Sequence, residues 1–155
     1  MIVATTGDRE LDGFIAKYTP EVEALAHALL ARVRARIPGA LMPVYDSYNA
    51  LAIGFGPTDR VKHVVLSLAI MPRWVTLCFT WGVNLDDPHR LLKGIGNQVR
   101  SVQLHAADAL DDPRIEALIA QALANADPPV DLDAAGGIII KSISAKQRPR
   151  RPVGR

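Results

Sequence analysis

Apolar side chains recur along this chain first at helical spacing, then at strand spacing, then at helical spacing again. In "DRELDGFIAKYT" Leu11, Phe14, Ile15 and Tyr18 share one helical face. Thr19 then offers a capping hydroxyl, Pro20 suits a first helical turn and Glu21 complements the positive helix end. Val22, Leu25, Ala26, Leu29, Val33 and Ile37 continue an apolar stripe until Pro38 and Gly39 stop it, with Arg32, Arg34 and Arg36 near the end where the dipole favours cations. The period then changes. "LMPVYDSYNALAIGFG" reads as two strands around a turn at "SYN", and "GPTD" supplies the next turn. "VKHVVLSLAIM" and "WVTLCFTW" read as two more strands, and in the second Val75, Leu77 and Phe79 alternate with Thr76, Cys78 and Thr80. "DDPHRLL" reads as one turn of helix from Pro88 capped by Asp87, and "NQVRSVQL" as a strand. "DDPRIEALIAQALANA" is a helix capped by Asp112, and "GGIIIKSIS" a last strand before the extended "AKQRPRRPVGR".

Helices, then strands joined by short turns, then a helix and a strand do not alternate as parallel βαβ units would. The order predicts an α+β fold: a two-layer sandwich with helices packed on one face of a mainly antiparallel sheet. No repeat or linker divides the chain, so residues 1–145 are expected to form one domain and residues 146–155 a basic C-terminal tail.

Composition sharpens this. At 155 residues and 49% hydrophobic content, one core can be filled. The single cysteine, Cys78, excludes an internal disulfide framework and a multi-cysteine zinc site. The opening "MIVATTGDRELDGF" has neither the charged start nor the long apolar run of a secretory signal, and Pro72 and Arg73 interrupt the most apolar stretch. A cytoplasmic protein without a membrane span is expected. Of the chain's 18 basic and 16 acidic residues, six basic ones and no acid fall in 141–155, leaving 12 against 16, a net of −4, in the rest. A basic tail on an acidic body either stays solvated or docks on that body.

Catalytic constellations are absent. "LLKGIGNQVRSV" places Lys93 before Gly94 and Gly96 and a strand after them, whereas a phosphate loop puts its lysine after the glycines and opens a helix. The third glycine of a dinucleotide fingerprint would be Val99, so the segment reads as a turn, with Gly94 in a left-handed conformation ending the preceding helical turn. His27 follows Glu23 by one helical turn with no third ligand in view. His63 opens a strand, His89 sits in a turn and His105 ends a strand, none beside a nucleophile. Ser47, Ser67, Ser101 and Ser142 lack a nucleophile-elbow context, and Cys78 reads as a packed core thiol. Asp86–Asp87 and Asp111–Asp112 precede prolines, where capping accounts for them. No catalytic residue and no metal ligand is assigned.

What is left points to binding. Tyr45, Tyr48, Trp74 and Trp81 near strand ends either fill the core or line a ligand groove or a self-association surface. The candidate ligand-binding set is Tyr45, Tyr48, Arg73, Trp81, Arg90, Lys93 and Arg100, serving an unknown ligand or protein partner at a sheet edge, with a homodimer as one form of partner. A second candidate is polyanion binding, nucleic acid included, through Lys146, Arg148, Arg150 and Arg151. With no aromatic interleaved in the tail, base stacking is not expected there.

"MPVYDSYNALAIGFGPT", "PRWVTLCF", "LLKGIGNQVRSV" and "IIIKSISAKQRPRR" resemble the YdhG-like family, a bacterial domain family of unknown function, the likeness running over residues 10–125 and into the tail. The resemblance implies a frataxin-like fold and, through one member, an iron chaperone. Iron is the one cofactor it suggests, with Asp8, Glu10, Asp12, Glu21 and Glu23 as the acids to hold it. "IMPRWVTLCFTW" departs from the family pattern as an extra strand.

Overall fold

A computed structural model describes residues 6–153; the five opening residues, Gly154 and Arg155 lie outside that range. Two helices, α1 (Thr6–Ile15) and α2 (Pro20–Arg36), lead into a meander of β1 (Leu41–Asp46), β2 (Leu51–Phe55), β3 (Leu66–Ile70), β4 (Val75–Phe79) and β5 (Arg100–Leu104). α3 (Pro113–Asn125) then returns the chain to β6 (Gly137–Ile143). The result is an α+β fold with an open six-stranded sheet in the order β5-β4-β3-β2-β1-β6. Four of the five pairings are antiparallel; β6 joins β1 in parallel, with a bulge between Val44 and Tyr45.

The layer structure follows from alternation. Val44, Ile53, Leu68 and Leu77 stand opposite one another across β1 to β4, all fully buried, and Val102 and Ile140 extend the row to β5 and β6. They pack with Leu11 and Ile15 of α1, Leu29 and Val33 of α2, and Leu118 and Ile119 of α3 in one core. The opposite face carries short side chains. Ala52, Ala69 and Thr76 form one cross-strand row and Gly54, Ser67, Cys78 and Ser101 the next. Cys78 is therefore not a core residue: it shares the non-core face with Ser67 and Ser101, and burial among its neighbours pushes its thiol up, against a hydrogen bond with Ser67.

The caps form at both long helices. Thr19 Oγ1 accepts from Val22 N at 3.3 Å, and Asp112 accepts from Arg114 N at 2.9 Å. Three predictions fail locally. α1 ends at Ile15, so Tyr18 lies in the turn that frees Thr19 to cap α2, yet Tyr18 is fully buried and its hydroxyl donates to Ile70 O. His63 does not open a strand; Val61–His63 is a single 3-10 turn, and β3 begins at Leu66. Asp87 caps no helix: its carboxylate accepts from Leu91 N and Leu92 N in a turn whose left-handed residue is Arg90 (φ 54°). Gly94 has φ 150° instead, and a Cβ there would meet Val99 O at 2.8 Å. Among the described residues no helix is long and apolar enough to cross a membrane.

Candidate functional site

The sheet's connections collect at two ends, and the seven candidate ligand-binding residues divide between them. Tyr48 in the β1–β2 turn and Arg73 in the β3–β4 turn lie at one end, with Tyr45 near it on the non-core face. Trp81, Arg90, Lys93 and Arg100 lie at the other, one strand length away, about 17 Å for five residues. They do not form one site. Of the four strand-end aromatics none is in the core: Tyr48 is 52% and Trp81 47% exposed, and Tyr45 and Trp74 are half-buried. Tyr18, Phe55 and Phe79 are the core aromatics.

At the second end, the loop end, backbone hydrogen bonds draw three loops together. Lys93 and Ser101 exchange a bonded pair (2.7 and 2.9 Å), which closes "KGIGNQVRS" as a hairpin. A strand follows those glycines, so no helix N-terminus is available to hold phosphate. Val83 N donates to Gln98 O at 3.0 Å, and Trp81 Nε1 donates to Lys62 O at 3.1 Å. Gly82 makes this approach possible, because a Cβ there would sit 2.4 Å from Arg100 Cβ. The loops frame a cavity of about 390 Å³ whose wall includes Lys62, His63, Trp81, Asn84, Leu85 and Asp127. The C-terminal end of α3 faces it and turns its negative dipole inward. His63 is oriented by Thr58, whose Oγ1 lies 2.8 Å from Nδ1.

In the loops of this end Val61, Val83, Ile95 and Val99 stand in solvent, as does Trp81 at the cavity wall, Ile95 with nothing covering it. Lys62, Arg90, Lys93 and Arg100 are interspersed, and none forms an ion pair with a carboxylate among the described residues. A second cavity, between α2 and α3, is flanked by the Arg32–Asp111 and Arg36–Glu116 ion pairs.

The first end, the tail end, is built differently. Asp46 is the last residue of β1 and shares the core-facing side with Met42 and Val44, so its carboxylate is fully buried. Lys17 Nζ reaches Oδ2 at 2.5 Å, and Arg150 Nη2 reaches Oδ1 at 2.8 Å and Ser47 O at 2.5 Å. Burial pushes the Asp46 carboxyl up, but hydrogen bonding from Lys17, Gln147 and Arg150 outweighs it and holds the group below the usual carboxylate range. Arg150 is 6% exposed, with its guanidinium 5.9 Å from the Tyr18 ring. Its Nε is the one buried side-chain polar atom among the described residues without a hydrogen-bond partner. Ser144 N and Gln147 Nε2 donate to Asp46 O, and Arg148 N donates to Tyr48 O at 2.8 Å. The tail is thus docked on the body, and Arg150, a candidate polyanion ligand, is instead its anchor, while Lys146, Arg148 and Arg151 face outward.

The acids that would hold iron are dispersed. Asp8 accepts from Arg34 at 2.9 Å and Asp12 lies 4.0 Å from His27, so that histidine faces Asp12. Among the described residues no three His, Cys, Asp or Glu gather closely enough to hold a metal. These residues do not form a donor set that fits iron.

No protein-family model, curated protein or solved structure matches this chain.

Proposed function

We propose that this domain is a non-catalytic binding module that takes a protein segment at its loop end, beside the β5 edge of the sheet. The segment presents one apolar side chain to the cavity under Trp81, with acidic residues on either side. One observation carries the reading: of nine exposed large hydrophobic residues among those described, five (Val61, Trp81, Val83, Ile95 and Val99) lie in the loops of this one end, and Trp81 among them lines the cavity. Scattered apolar residues need no explanation, but a clustered set with an aromatic centre and unpaired cations is the composition of a recognition surface. The cavity falls within the usual range for a ligand pocket, and no hydroxyl or thiol lines it to serve as nucleophile. The cations Lys62, Arg90, Lys93 and Arg100 select the acidic flanks and set the association rate.

The YdhG-like, frataxin-like and bacterial cytoplasmic reading belongs to the same proposal. It is supported by the four quoted motifs, and the observed order of helices and strands is in keeping with it.

The test is selection from a displayed random-peptide library on the full chain, repeated on Trp81→Ala and Ile95→Ser. Enrichment of peptides with an aromatic or aliphatic residue between Asp and Glu, lost on both variants, supports the proposal. Peptides that bind the variants equally, or turnover of a small substrate abolished by Trp81→Ala, overturn it.

A further inference from the structure

The tail end carries a second, independent surface. With Arg150 committed to Asp46, the docked tail displays Lys146, Arg148 and Arg151 outward, all exposed, and none pairs with a carboxylate among the described residues. Arg148 lies 6.0 Å from the centre of the Tyr48 ring, and its backbone bond to Tyr48 O holds ring and cation together. Exposed Arg73 stands on the neighbouring β3–β4 turn at the same end. The one carboxylate beneath, Asp46, lies between two cations and cancels neither outward charge nor field. Glu21, on the first turn of α2, is an exposed acid at this end, and exposed Asp108 follows β5 at the same end of the sheet.

We infer that this end binds single-stranded nucleic acid, with Lys146, Arg148, Arg151 and Arg73 following the phosphates and Tyr48 offering a face to an unpaired base. The argument rests on pre-organisation. A disordered basic tail gives only nonspecific charge, and this tail carries no aromatic of its own. Docking supplies the missing ring from the β1–β2 turn and fixes the cations around it, the combination of electrostatic track and stacking platform that single strands require. A single exposed ring suits unpaired bases, because the bases of a duplex are already stacked on each other. Three to four phosphate contacts give a slope of log affinity against log salt of about −2 to −3.

The test is fluorescence anisotropy of the full chain with a labelled oligothymidylate of about fifteen nucleotides, between about 50 and 200 mM salt. Expected are binding with that slope, a loss of at least about tenfold for Lys146→Glu with Arg148→Glu, and a several-fold loss for Tyr48→Ala that Tyr48→Phe restores. These positions are exposed and leave the Arg150 anchor in place, and far-UV circular dichroism of each variant checks the fold. No binding at the lower salt overturns the inference. So does binding that the charge reversal leaves intact. Equal affinity for phosphatidylserine vesicles or polyphosphate, with Tyr48→Ala without effect, also overturns it and marks the surface as a general anion patch.

Discussion

The two ends of this sheet solve opposite problems. At the tail end a carboxylate that alternation drives into the core is matched by two cations, and a segment from far along the chain is laid over it. At the loop end apolar side chains that could have been covered are left in water in the loops that frame a cavity. Covering a charge in this way is a stability device, whereas leaving a Trp, an Ile and three Val outside has no folding rationale. The difference separates what holds the molecule together from what it presents to others.

The comparison breaks most readily at Asp46. Asp46→Asn strands Lys17 and a buried Arg150, and should cost about 3–5 kcal/mol in urea unfolding. A loss below about 1 kcal/mol, the scale of an exposed pair, would mean that the tail is not anchored through this group. The same carboxyl gives a pH signature. Its folded value lies below its unfolded one, so its contribution is full above the ordinary carboxylate range and is lost as pH falls through the folded value. Unfolding free energy measured from neutral pH into acid should therefore fall, and fall less steeply in Asp46→Asn. Asp112, held down to about 2 by Arg114, adds to that acid loss.

A smaller effect is expected at the cap of α3. Asp112→Ala should lower stability by about 1 kcal/mol, read as a shift in the urea midpoint at constant slope. The smallest belongs to the loop end: Ile95→Ser should change stability by no more than about 0.5 kcal/mol while removing peptide binding. If Ile95→Ser instead destabilises the fold substantially, the loop end is structural and the contrast between the ends collapses.

Much of this architecture was readable from local pattern. Val75, Leu77 and Phe79 alternate without interruption, so β4 and its buried face followed directly. Thr19–Pro20 and Asp112–Pro113 state the starts of α2 and α3 in local chemistry. β3 started later than its apolar run because Val61–His63 is taken up in a 3-10 turn closed by Val64 N donating to Val61 O. The chain rejoins the sheet only at Val65, whose N–H donates to Phe55 O and whose carbonyl accepts from Thr80 N. Of the candidate site, Trp81, Arg90, Lys93 and Arg100 were named, but not that Tyr45, Tyr48 and Arg73 lie a strand length away, since strand direction and pairing are nonlocal. The anchor was missed although a signal existed. Met42, Val44 and Asp46 occupy alternate positions of one strand, which puts a carboxylate on the apolar side and demands a cation. Which cation answers it could not be read, because Arg150 stands 104 residues further on.

The parallel pairing of β1 with β6 has a consequence for synthesis. The ribosome makes β1 long before Gly137, the first residue of the strand that closes its outer edge. Through that interval the meander can pair β1 on one side only, while Asp46 waits for Arg150. A nascent chain stalled before β6 therefore carries an open edge and an acid matched by Lys17 but not yet covered by Arg150, a combination that invites chaperone capture or edge-to-edge association.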